Sequence, residues 1–112
     1  SYEMAVQFIA EGFLIGIGGV VTFKNAGLRD IVRKLDLKYL MTETDAPYLA
    51  PVPFRGKLNV PKYTVHVVEE IARLKEISIN EVKNTIEKNA FSMFGIWKEI
   101  LWRNFLLWYH LY

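Results

Sequence analysis

"MTETDAPYLAP", residues 41–51, closes an apolar run with two carboxylates two residues apart and then turns on proline. Side chains alternate along a strand, so Met41, Glu43 and Asp45 share one face and Thr42 and Thr44 the other. Two like charges on one face of an inner strand repel, and each costs free energy to bury without a partner. The pattern asks for a cation beside them: a metal, an arginine or a substrate group. Pro47 forces the chain out of the ladder, so Asp45 is expected as the last residue of a strand over 39–45.

Upstream, "FLIGIGGVVTF" (13–23) is a continuous apolar, β-branched run with glycines, the mark of a strand covered on both faces. Between the two runs, "LRDIVRKL" (28–35) sets Leu28, Ile31, Val32 and Leu35 on one side of a short helix. Strand, helix, strand with an apolar run at each end is a βαβ unit, so the two strands should be parallel. Gly16, Gly18 and Gly19 do not form a phosphate loop, because no G-x-G-x-x-G spacing opens a helix; close strand packing explains them better.

Working outward, "SYEMAVQFIAEG" (1–12) reads as a helix with Met4, Ala5, Phe8 and Ile9 on one face and Gly12 as its stop. "YLAPVPFRGKLNVP" (48–61) holds the remaining prolines and reads as an ordered loop. "KYTVHVVEEIARLKE" (62–76) is an amphipathic helix with Val65, Val68, Ile71 and Ala72 inward, and His66 on its polar side with Glu69, Glu70 and Arg73. A capping box, Ser78 to Glu81, starts the next helix, with Ile77 and Val82 at staple positions. Val82, Ile86, Ala90 and Met93 form its inward face, and Gly95 is expected to end it.

A chain of 112 residues holds one domain with a single modest core. A net charge of +2 is too small to argue for nucleic acid by itself. With no cysteine, zinc–thiolate sites, disulfides and thiol catalysis are excluded and a reducing compartment is permitted; a cytoplasmic location is expected. The first residues lack a basic start and a small-residue cleavage site, and an initial Ser fits a processed or incomplete chain.

"ETDAPYLAPVPFRGKLNVP" (43–61) resembles the C-terminal signature of the TatD family of metal-dependent deoxyribonucleases. "IARLKEISINEVKNTIEKNAFSMFGI" (71–96) resembles the family's two closing helices, and "GFLIGIGGVVTFKNA" (12–26) its seventh strand and the loop after it. The resemblance implies an α/β fold: the C-terminal part of a (β/α)8 barrel, here two parallel strands with about five helices over residues 1–96. It also implies a divalent metal (Mg, Mn or Zn) and DNA as substrate, cleaved by attack of metal-activated water on the phosphodiester. The family draws its ligands from a His-x-His on the first strand, a Glu on the fourth, histidines on the fifth and sixth, and an Asp on the eighth. Asp45 matches that last Asp, as metal ligand and proton acceptor; Glu43 matches the motif's Glu, with an orienting role or a weaker metal contact. All the other ligands fall outside this chain, so it is expected to be inactive alone.

Each residue has a plainer reading as well. Asp45 is open to being a strand-end carboxylate that caps the next turn or pairs with an arginine. Arg55, Lys57 and Asn59 suit substrate phosphates, since guanidinium matches phosphate geometry, but also an ordinary solvated loop. Lys24 and Asn25 are weaker candidates at the first strand's end, and His66 reads as a surface residue.

Residues 97–112 match nothing in the family and form a separate aromatic-rich tail. They fall short of the ~20 apolar residues that a membrane crossing needs. Trp97, Trp102, Trp108, Tyr109 and Tyr112 suit a membrane interface or a protein contact. The competing class is therefore a non-catalytic module that self-associates, docks a barrel-completing partner or meets a membrane surface through bared strand faces and this tail. Alternatively Trp97, Leu101 and Trp108 fold back over those strands.

Overall fold

The computed structural model describes the backbone of residues 1–111 and the side chains of residues 1–95. Ser1 caps the first helix, α1 (Tyr2–Ala10), by accepting from the Met4 N–H at 3.2 Å. The helix ends as its glycine dictates. Gly12 takes φ 92°, and the N–H groups of Gly12 and Phe13 turn back to the carbonyls of Ile9 and Phe8 at 2.9 and 3.0 Å. Of the expected inward face only Ala5 is fully buried, while Met4 and Phe8 are exposed.

Strand β1 (Ile15–Ile17) and strand β2 (Leu40–Thr42) pair in parallel, Ile15 with Leu40, Gly16 with Met41 and Ile17 with Thr42. Helix α2 (Leu28–Lys34) lies between them in sequence, as a βαβ unit requires. Both strands are shorter than the apolar runs suggested. The first stops after Ile17 because Gly19–Thr22 winds into a 3-10 turn, closed by the Val21 N–H on Gly18 and the Thr22 hydroxyl on Gly19. The second starts late because Asp36 accepts from the Lys38 N–H at 3.0 Å and tightens 37–39 into another such turn. A last bond from the Glu43 N–H to the Ile17 carbonyl, 3.0 Å, carries the pairing one residue further.

Helix α3 (Thr64–Lys75) and helix α4 (Ile79–Leu111) cover one face of this pair. Ile17, Leu40, Ile71 and Val82 are completely buried there. Full burial of such a side chain contributes about 1.5–3 kcal/mol, so this layer is the chain's main source of stability. Asn89 of α4 donates to the carbonyls of Leu37 and Leu40 at 3.0 and 2.8 Å, pinning the helix to the start of β2. Lys75 of α3 donates to the carbonyls of Val32 and Leu35 and so closes the end of α2. Burial holds its amine below the usual lysine value, and Asp36 partly restores it.

Three expectations change. On α3, Val67 is buried in place of Val65, and Glu70 is buried too, held between Arg29 (3.1 Å) and Arg73. The inward arc is therefore rotated toward α2, whose Arg29 provides the partner that lets a carboxylate enter. On α4, the Ser78 hydroxyl accepts from the Glu81 N–H as a cap should, but the helix runs through Gly95. Glycine inside a helix costs only about 1 kcal/mol relative to alanine, and no proline follows to enforce a stop. Met93 is exposed. Finally, the open face of the strand pair presents Gly16 and Glu43 beside half-buried Met41, so it is less apolar than the runs suggested. The positions expected to cover it, Trp97, Leu101 and Trp108, lie outside the described side chains.

The α3–α4 junction gives a test. Glu76 sits at φ 55° while the Ile77 N–H returns to Ala72 and the Glu76 N–H to Arg73, a helix end that favours glycine. Glu76→Gly should therefore raise stability by about 0.5–1 kcal/mol in urea unfolding. An unchanged or lower midpoint would refute this account of the junction.

Candidate functional site

Strand β2 ends at Thr42, so Asp45 is not its last residue as expected; Glu43 and Asp45 lie just beyond the strand end, with their side-chain oxygens gathered at Gly18. Opposite them runs Gly18, whose missing side chain makes the room. A Cβ there would stand 2.3 Å from Glu43 Oε1 and 3.6 Å from Asp45 Oδ2, so both oxygens reach one small volume. Gly16 does the same one step down, with the Glu43 stem 3.1 Å from its Cβ position.

Neither carboxylate is spent on structure. Asp45 uses its backbone carbonyl, not its side chain, to accept the Tyr48 N–H at 2.8 Å. The turn's side-chain cap is Thr44, which accepts from the Ala46 N–H at 3.1 Å. Among the described residues no arginine pairs with Asp45. Although Glu43 is exposed as a residue, its tip is tucked against Gly18. Desolvation there, and then the negative charge of Asp45, push its carboxyl above the ordinary glutamate value. Two oxygen donors of like charge, one of them made reluctant to ionise, form a setting that a hard divalent cation relieves. The donor set fits such an ion in part: among the described residues no three His, Asp or Glu side chains converge.

The loop after β2 is locked over this site. Leu49 takes φ 53° and lays its carbonyl 2.4 Å from where a Cβ of Gly19 would stand. The Val52 N–H donates to Thr22 at 2.9 Å. Asn59, expected at the loop surface, is instead buried inside it. Its amide donates to Tyr48 (2.9 Å) and Thr44 (3.3 Å), and its N–H to Pro47 (2.9 Å). Arg55 and Lys57 are exposed, and the Arg55 guanidinium lies 3.9 Å over the ring of Phe23. Lys24 and Asn25 are exposed at the end of the β1 loop.

His66 is not at this site. It belongs to the helix side, half-buried beside Phe54 and Tyr63, on a cleft of about 340 Å³ also lined by Thr22, Glu70 and Arg73. It is less of a surface residue than its sequence position suggested, because Phe54 of the loop packs against it. Sequence reasoning passed over Gly18 as part of the site, although its alternation with Gly16 was a usable signal. No local pattern announced the Phe23–Arg55 contact, which spans 32 positions.

A family model described as "TatD related DNase" matches residues 1–95. The metal-dependent hydrolase YabD of Bacillus subtilis is 41% identical over 97 residues, covering 86% of this chain and 38% of that protein. The metal-dependent hydrolase MJ1582 of Methanocaldococcus jannaschii is 45% identical over 92 residues, covering 82% and 36%. Among solved structures, the TatD homologue YjjV of Escherichia coli superimposes with a TM-score of 0.78 at 30% identity, covering 85% of this chain and 37% of that one. A TatD family hydrolase of Entamoeba histolytica superimposes at 0.72 with 20% identity, over 83% and 38%, which speaks for the fold alone. The chain thus spans little more than a third of the curated relatives it matches.

Two outcomes follow from the geometry. Gly19→Ala drives a Cβ into a backbone carbonyl and should cost about 1–3 kcal/mol, whereas Gly18→Ala meets only a movable carboxylate tip and should cost less. Equal losses in chemical unfolding would disprove this. For pH, the folded Glu43 carboxyl binds its proton more tightly than the unfolded one. Its contribution to stability is therefore present below pH 4.5 and is lost as pH rises through the folded value. Relative to wild type, Glu43→Gln should gain stability from pH 4.5 upward; parallel unfolding curves at every pH would contradict this.

Proposed function

This chain belongs to the TatD-related DNase family, and from that premise we propose that its strand ends form part of the site of a metal-dependent phosphodiester hydrolase acting on DNA. The fold is the C-terminal part of a TIM-type barrel: two parallel strands and their helices superimpose on the family's solved structures. In such barrels the functional groups stand at the carboxyl ends of the strands, where Glu43 and Asp45 stand here. The observation that carries the reading is their convergence on Gly18 with no structural partner for either side chain.

Asp45 is the residue proposed to hold the divalent metal, whether Mg, Mn or Zn. Its side chain is the free one, at the last extended position before the turn. Glu43, whose carboxyl keeps its proton to higher pH, is suited to orient water or a ligand by hydrogen bonding and to contact the metal only weakly. When bound, a divalent ion supplies Lewis acidity at the phosphoryl oxygen and acidifies water. Asp45 then doubles as an acceptor for the proton that an attacking water must lose. Residues 1–96 form this barrel part in our reading, and 97–112 are an aromatic-rich tail beyond the family's match.

The test joins residues 1–96 to the first two thirds of a family barrel such as YabD and measures cleavage of an oligonucleotide with Mg²⁺ or Mn²⁺. The joined protein should cleave, Asp45→Ala should lose about 100-fold or more and Glu43→Gln about 10-fold. The 112-residue chain alone should show no metal-dependent cleavage, since two carboxylates cannot fix a divalent ion in a defined geometry. Full activity in the joined Asp45→Ala protein, or metal-dependent activity in the chain alone, would overturn the assignment.

A further inference from the structure

Phe54 and Arg55 are consecutive, and each is stacked on a different partner. The Phe54 ring lies parallel to Tyr63 at 4.2 Å, on the α3 side. The Arg55 guanidinium lies 3.9 Å over Phe23, on the β1 side. With the Val52 N–H bound to Thr22, the loop is fastened at three points to the elements on either side. An exposed arginine usually samples many rotamers. This one rests 3.9 Å over an aromatic face, which narrows its choice of rotamers and so the entropy lost when a ligand arrives.

The guanidinium is also chemically unspent. Among the described residues it makes no hydrogen bond and no ion pair, in contrast to Arg29, Arg33 and Arg73, each of which faces a carboxylate. Lys24 and Lys57, its exposed neighbours in the two loops, have no acidic partner either. From Gly18, which holds the carboxylates, to Phe23, which holds Arg55, the chain runs mostly through a single 3-10 turn. At about 2.0 Å rise per residue, the Phe23 backbone stands roughly 10 Å along the chain from Gly18. A strand of duplex DNA advances ~3.4 Å per nucleotide, so a backbone separation of this size corresponds to a few nucleotides.

We infer that Arg55, set by Phe23, is a positioning residue that grips a flanking phosphate of the bound strand. The inference rests on the phosphodiesterase reading above and adds to it a second contact, independent of the metal. Its planar fork bonds two phosphate oxygens at once, which a lysine cannot do. It reads no bases and sets where the strand lies relative to Asp45.

The experiment is fluorescence anisotropy of a labelled single-stranded oligonucleotide titrated with the 112-residue chain, in chelator and at several salt concentrations. Arg55→Gln should weaken binding on the order of 3- to 10-fold and reduce the salt slope by about 1. Arg55→Lys should keep the slope and still bind less well than wild type. Phe23→Leu, which keeps every charge, should weaken binding with the slope unchanged; circular dichroism verifies that each variant is folded. Wild-type binding by Arg55→Gln, or no salt-dependent binding by the wild-type chain, overturns the inference. Failure of the metal reading shows elsewhere, as joined Asp45→Ala protein that cleaves normally, because the binding titration contains no divalent ion.

Discussion

The close approach of two backbones at Gly18 and Gly19 is the constraint on which the rest of the site depends. A parallel ladder of three residue pairs is short, and its free end would splay without a second tie. Gly19 provides that tie by letting the Leu49 carbonyl settle against the chain, and Gly18 leaves a hollow into which Glu43 and Asp45 reach. A larger residue at Gly19 would push the β1 loop away from the β2 loop, and one at Gly18 would fill the hollow. In either case the carboxylates would no longer share one volume.

The two faces of this strand pair are built from opposite chemistry. Ile17 and Leu40 look toward the helices and vanish from solvent, while Gly16, Gly18 and the carboxylates look the other way. Core packing and the candidate site are therefore drawn from separate side chains of neighbouring positions. Asn89 and Lys75 reinforce the helix side by occupying carbonyls at the start of β2 and the end of α2. Asn59 does similar work within the loop, which is why a residue with the chemistry to meet a phosphate is turned inward.

Much of this was legible in the residues themselves. The apolar runs around 15–17 and 40–42 announced two parallel strands, and Gly12 and Ser78 marked helix ends where the structure has them. The face shared by Glu43 and Asp45 follows from strand alternation alone. Strand lengths were overestimated because an apolar run does not reveal a 3-10 turn that hydrogen bonds close locally, as at Gly19–Thr22. The helix through Gly95 was missed because glycine is permissive and does not by itself end a helix. Contacts between residues far apart, Phe23 with Arg55 or Arg29 with Glu70, leave no local periodicity and emerge only once the chain is folded.

The buried carboxylate of Glu70 bears on how this sequence can drift. It satisfies Arg29 of one helix and Arg73 of its own, so the three side chains do not vary independently. Removing the arginine partners strands a charge inside the protein, and removing the glutamate leaves Arg29, itself largely enclosed, without its carboxylate. An all-apolar substitute of the same volume is physically acceptable, yet every single step toward it passes through a less stable intermediate. The helix interface is thus a local trap in sequence space: two good solutions with no gentle path between them. Descendants of this chain should keep the charged triad or exchange it in one concerted change, while exposed residues such as Lys83 wander freely.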